Sequence, residues 1–156
     1  MFKRTLFAGV AALLGVAVVI AADPIKLELK NFKLKAAFDG GENLVGHDEG
    51  ENRIFYYTNG SATAEVKVPE DGEYTIKIDA GCTKAEKDFA QIKISVGDVV
   101  VKDKFDLTAE EQKEYTFTAK LKKGDSKLVI EFLNDKYKEN EYDLNFFLYK
   151  ASLEKK

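Results

Sequence analysis

The chain reads as an all-β protein, a two-sheet antiparallel β-sandwich of jelly-roll type. Three observations predict it. Apolar and polar residues alternate in short runs over most of the chain, as strands with one buried and one wet face must. Turn-forming residues interrupt those runs roughly every 8–12 residues, the spacing of a sandwich or barrel. Helix signals are confined to one short segment.

Alternation predicts strands over residues 25–30, 62–68, 74–78, 92–96, 99–101, 115–121 and 128–132. Asn59-Gly60 suits a tight hairpin turn with positive φ. Pro69 and Gly72 are spaced for a β-turn, and Gly97-Asp98 for a two-residue hairpin. Lys123-Gly124-Asp125 marks a further reversal, and residues 38–52, rich in Gly and acids, read as a long loop. Thr108 and Glu111 have capping-box spacing, which predicts one short helical turn near 108–114. Inward Leu, Ile, Val and Phe supply the core, each worth about 1.5–3 kcal/mol when buried.

The first 22 residues differ from the rest. Lys3 and Arg4 precede an apolar run that ends in Ala21-Ala22 before Asp23-Pro24. A basic head, apolar middle and small residues at the exit form a secretory signal, with cleavage expected after Ala22. The run is at the short limit for spanning a bilayer, about 17 residues, so no stable membrane insertion is expected after cleavage. Residues 23–156 are then one exported domain, secreted or periplasmic.

Net charge is −3, and −5 once Lys3 and Arg4 are set aside, since no acid precedes Asp23. An acidic domain has no attraction to polyphosphate, which excludes nucleic acid as a partner. Cys82 is the only cysteine and His47 the only histidine. No internal disulfide and no multi-histidine zinc site can be built. The plain reading of Cys82 is a small buried residue. His47 and the acidic stretch 48–51 read as surface.

The polar loop 134–145 is the segment with chemistry. It carries Asp135 and Asp143, Asn134 and Asn145, and the rings of Tyr137 and Tyr142, between two strand-like runs. Strand pairing would bring the two aspartates to one end of a hairpin, where they repel unless a cation lies between them. Calcium takes six to eight oxygens at roughly 2.3–2.6 Å in tolerant geometry. Two carboxylates and two or three backbone carbonyls fall short of that shell and leave room for sugar hydroxyls. The Tyr rings could stack on a sugar. The plain alternative is a solvated hairpin end, since Asp and Asn favour turns for local reasons.

Residues 129–135 followed by 142–148 resemble the end of calcium-dependent, xylan-binding carbohydrate-binding modules. In that family an Asn-Asp pair precedes a variable loop and an Asp-Arg-Asn-Leu-Tyr-Val strand. Residues 57–76 and 94–101 are similar to earlier strands of such jelly rolls. The resemblance implies calcium held by Asp135, Asp143 and a backbone carbonyl near Tyr142. It also implies that Asn134 and Asn145 orient the loop or hydrogen-bond the glycan. Two departures stand out. Leu144 occupies the Arg position, and Phe146-Phe147 replaces Leu-Tyr. Lys30 in Glu28-Leu29-Lys30, where the family has an acid, argues against a second calcium.

The expected function is therefore a non-catalytic module that grips a xylan-like polysaccharide through calcium, with a possible enzyme partner on a separate chain. Two alternatives remain at this stage. One is a ligand-free structural or adhesion sandwich of the cell envelope. The other is a small glycoside hydrolase, for which two carboxylates are the minimum, though an open loop is a poor place to keep one of them protonated.

Overall fold

The computed structural model describes residues 23–156; the expected signal segment lies outside them. Thirteen strands form: β1 Ile25–Leu27, β2 Lys33–Ala36, β3 Val45–Asp48, β4 Arg53–Tyr56, β5 Gly60–Val68, β6 Gly72–Cys82, β7 Gln91–Val96, β8 Val99–Asp106, β9 Lys113–Leu121, β10 Gly124–Phe132, β11 Lys136–Lys138, β12 Tyr142–Leu144 and β13 Phe146–Lys155. They build two antiparallel sheets, as the alternation predicts. One runs β3-β4-β13-β6-β9 with β1 also on β13, and the other runs β2-β5-β10-β7-β8. A two-stranded ribbon, β11-β12, projects from one end.

The inner faces carry the core. Ile54, Ile76, Ile78, Leu148 and Leu153 lie on the first sheet, and Ile92, Ile94, Leu128 and Ile130 on the second, all fully buried. At the end of the sandwich below the ribbon, three aromatic residues meet. The Tyr56 and Phe146 ring centroids are 5.0 Å apart, Phe132 and Phe146 are 6.0 Å apart, and Tyr56 stands edge-on to Phe132 at 6.4 Å. The Tyr56 hydroxyl donates across the sheets to the Ile130 carbonyl at 3.3 Å. Each of these residues is the last or first core residue of a strand, so three chain segments leave the core at the same place.

Four local expectations need correction. No helical turn forms at 108–114; the segment bends and β9 begins at Lys113. Its polar groups are taken by neighbours instead. The Glu110 carbonyl accepts from the Cys82 amide at 3.0 Å, and the Thr108 amide donates to the Tyr115 hydroxyl at 3.1 Å. A capping box cannot nucleate a helix whose carbonyls already pair with a strand.

Asn59-Gly60 is not a hairpin turn either. Gly60 opens β5, and residues 57–59 cross from one sheet to the other. A Cβ on Gly60 would stand 2.6 Å from the Lys35 carbonyl, so the glycine serves close strand approach and not turn geometry. The long loop 38–52 contains a 3-10 turn, Glu42–Leu44, and strand β3, which pairs with β4. Two residues hide this strand from a pattern reading: Gly46 lies under the Phe55 ring, and only Val45 is buried. The strand expected over 25–30 stops at Leu27, and Leu29–Asn31 forms a 3-10 turn. Gly97-Asp98 does form the expected hairpin, with Gly97 at φ +55°.

Removing a ring from the aromatic trio leaves a cavity that β-strands cannot close by sliding. Phe146→Ala should lose about 3–5 kcal/mol, and Tyr56→Phe about 1 kcal/mol, the net worth of one hydrogen bond. Urea unfolding with an unchanged m-value checks both.

Candidate functional site

Three segments converge above the aromatic trio: residues 57–59 after β4, residues 133–135 after β10, and residues 142–145 leading into β13. Hydrogen bonds lock them together. The Asp135 amide donates to Asn59 Oδ1 at 2.8 Å. Asn134 clasps the adjacent strand from both ends of its amide, accepting from the Gln91 N–H at 2.6 Å and donating to the Phe89 carbonyl at 3.0 Å. Thr83 Oγ1 accepts from the Asn145 amide at 2.7 Å and donates to the Asp143 carbonyl, while the Thr83 amide donates to the Asn145 carbonyl at 3.1 Å.

The ribbon sets the relation between the two aspartates. Its register pairs Lys136 with Leu144, Tyr137 with Asp143 and Lys138 with Tyr142. Continued by one residue, that register places Asp135 opposite Asn145. Asp135 and Asp143 are diagonal neighbours and not a directly opposed pair. They are still close enough for Asp143 to raise the Asp135 pKa by like-charge repulsion. Asp143 itself is exposed.

Asp135 is the strained member. Its carboxyl sits above the ordinary carboxylate pKa, first because burial disfavours the charge and then because Asp143 repels it. The Thr58 hydroxyl and the Lys136 amide oppose this and favour the ionised form. Lys136, the nearest cation in sequence, pairs its ammonium with Asp88.

Asp135 Oδ1 is buried without a hydrogen-bond partner, and so is Asn145 Oδ1. An orphaned buried oxygen costs about 1–3 kcal/mol, and more if it is charged. These are the only two such side-chain atoms among the described residues, and they belong to residues that the continued register sets opposite each other. Both are hard oxygen donors, one anionic and one amide, so the pair fits the ligand chemistry of calcium. Among the described residues no three acids, His or Cys side chains cluster. Any cation here must therefore draw on amide and carbonyl oxygens as well as the two carboxylates.

The remaining candidates divide. Tyr142 is half-buried against the core, while Tyr137 projects from the ribbon and is 70% exposed. Leu144 is fully buried. Its alternation with exposed Asp143 assigns it to packing.

Sequence reasoning missed Tyr57, Thr58, Asn59 and Thr83. Tyr57 is 42% exposed, its ring stacked on Phe55 at 4.5 Å and edge-on to Phe147 at 6.4 Å. It adjoins in sequence Thr58, which reaches Asp135, and its ring packs with Phe55 and Phe147. The available signal was the polar triplet 57–59 after an aromatic strand, which a turn reading absorbed.

A family described as Ca-dependent carbohydrate-binding module, xylan-binding, matches residues 75–155. No curated protein sequence matches the chain. Several solved structures share the fold. The CBM36-1 domain of a multidomain xylanase from the hindgut metagenome of Trinervitermes trinervoides aligns with TM-score 0.59 at 9% identity, over 84% of this chain and 96% of that one. A CBM36 module in complex with calcium and xylotriose gives 0.54 at 11%, over 85% and 98%. A family 35 module from Clostridium thermocellum gives 0.54 at 14%, again over 85% and 98%. At these identities the structures speak to the sandwich alone.

The raised Asp135 pKa yields a signed expectation. The folded state holds this proton more tightly than the unfolded chain, so the cost of the carboxylate is absent below the ordinary value of 3.8 and grows as pH rises towards and through the folded pKa. In chelator at pH 7, Asp135→Asn should melt above the wild type. The difference should vanish on acidification below the ordinary carboxylate range. Melting curves against pH read it directly, and a wild type that melts higher at pH 7 would contradict the account. Leu144→Arg is expected to unfold the ribbon end instead of strengthening the site, because it buries an unpaired cation.

Proposed function

The chain belongs to the Ca-dependent, xylan-binding family of carbohydrate-binding modules, and from that premise we propose a calcium-bridged grip on a xylan-like polysaccharide at the rim. The supporting observation is the pair of orphaned oxygens, Asp135 Oδ1 and Asn145 Oδ1, on residues that the continued ribbon register sets opposite each other. In this reading Asp135 and Asp143 supply the charge, and Asn145 and a backbone carbonyl near Tyr142 supply neutral oxygens. A bound calcium ion offers open coordination positions to sugar hydroxyls.

The chain does the rest. Asn134 holds the Asp135 backbone in place through its clasp on Gln91 and Phe89. Thr83 fixes the backbone on both sides of Leu144 by bonding at Asp143 and Asn145. Preorganisation of this kind keeps the donor oxygens from collapsing onto each other and lowers the ordering cost of binding. Tyr57 presents a fixed ring face to the C–H side of a pyranose, and Tyr137 a second, more exposed contact on the ribbon.

The proposed module is non-catalytic. An acid–base pair would need one aspartate held protonated and the other ionised across a substrate bond, whereas here both aspartates serve as ligands on an open rim. Export through the 1–22 segment and action beside an enzyme on another chain complete the reading.

Calcium in roughly hundredfold excess over its Kd should stabilise the wild type by about 2.7 kcal/mol, seen as a rise of several degrees in melting temperature. Asp135→Ala and Asp143→Ala should each abolish that rise and the retention on a xylan affinity gel. Tyr57→Ala should keep the calcium response yet bind xylan about tenfold more weakly, equivalent to 1.4 kcal/mol. An unchanged calcium response in both aspartate variants would sink the rim as the site, and release of reducing sugar would sink the non-catalytic reading.

A further inference from the structure

We propose a second sugar site, separate from the rim, in the cleft beside Tyr149, with a sugar bearing a carboxylate as its ligand. The class of ligand rests on the carbohydrate-binding reading above; the cleft itself does not. A cavity of 480 Å³ lies midway along β13, within the range of small-molecule sites.

Its origin is a gap in the sheet. On one side β13 pairs with β4 through Phe146 to Leu148 and with β1 through Ala151 to Leu153. Tyr149 and Lys150 fall between the two partners, where the register on the opposite strand β6 also shifts. Strand β1 ends at Leu27 and turns away through Leu29–Asn31, while β4 begins after Asn52 at φ +48°. The strand ends therefore frame an opening that the bulge faces, a common place for a side chain to be re-aimed towards a ligand.

The ring of Tyr149 is held from the side. Arg53 reaches its hydroxyl, pairs with Asp48 at 3.3 Å and lies over the Phe147 ring at 4.3 Å. Leu27, Leu29 and Ala151 complete an apolar floor. A pyranose presents a C–H face that matches such a floor.

The rim of the cleft is cationic, although residues 23–156 carry net −5. Lys26, Lys30 and Lys150 surround it against one acid, Glu28. Lys30 pairs with Glu28 at 3.1 Å and Lys150 with Asp79 at 3.2 Å, which leaves Lys26 without a carboxylate partner among the described residues. An apolar floor under a local excess of positive charge selects an acidic sugar over a neutral one. A neutral pyranose would use the floor and leave the lysines idle.

The test titrates the whole chain in chelator, so that the rim contributes nothing, and follows backbone amide shifts by NMR. Sodium glucuronate is the probe and xylose the neutral control. Amides of residues 26–30 and 149–152 should move with glucuronate and not with xylose. Affinity should fall severalfold from low to high salt as the lysines are screened. The charge-reversed pair Lys26→Glu with Lys150→Glu should lose at least tenfold, and the milder Lys26→Gln a smaller part. Asp135→Asn should bind glucuronate as the wild type does. Equal response to both sugars, no shift in these amides, or full affinity in the lysine pair would overturn the proposal. A wild type that shows no calcium response but intact glucuronate shifts would remove the rim reading alone and leave this one standing.

Discussion

The contact of Tyr56, Phe132 and Phe146 decides where the rim segments meet. Each ring ends or begins a strand, and each strand belongs to a different part of the sequence, with Tyr56 and Phe146 on one sheet and Phe132 on the other. Packing the three rings together brings residues 57–59, 133–135 and 142–145 to one rim. Without the trio, the polar loop 134–145 would be an unanchored hairpin. With it, Asn59, Asn134 and Thr83 can bond across the segments, and side chains distant in sequence acquire a fixed spacing.

That rigidity has an energetic consequence at the rim. A flexible loop would swing Asp135 into water, where its charge is solvated. Held by Asn59 and crowded by Asp143, the carboxylate keeps one oxygen dry and unpartnered, and its proton affinity rises. Such a site is destabilised when empty of charge compensation and gains when a hard cation supplies it. The same logic separates the rim from the Tyr149 cleft. One gathers acids and neutral oxygens, the other lysines over an apolar floor, so the two surfaces offer different chemistry.

Much of the fold was legible because alternation reports burial directly. Strands β5, β7, β9 and β10 have period-two burial, as does β6 up to Ala80, and the sequence shows it. The failures have a shared cause. Strand β3 contains Gly46, whose exposed face is covered by the Phe55 ring across the ladder, so its own residues carry no pattern. The segment 108–114 has local helix chemistry that loses to a tertiary bond between Glu110 and Cys82. Asn59-Gly60 has turn composition, yet Gly60 is needed for approach to Lys35. In each case a partner remote in sequence set the outcome.

The candidate site was half legible for the same reason. Asp135, Asp143 and Asn145 lie within one loop, and their types point to a hard cation. Tyr57, Thr58, Asn59 and Thr83 come from elsewhere, and only the sheet topology joins them to that loop. Local sequence can identify donor oxygens; it cannot show which of them are deprived of partners. The orphaned state of Asp135 Oδ1 and Asn145 Oδ1 is a property of three strands meeting, and it is that deprivation, more than the number of acids, on which the proposed calcium site rests.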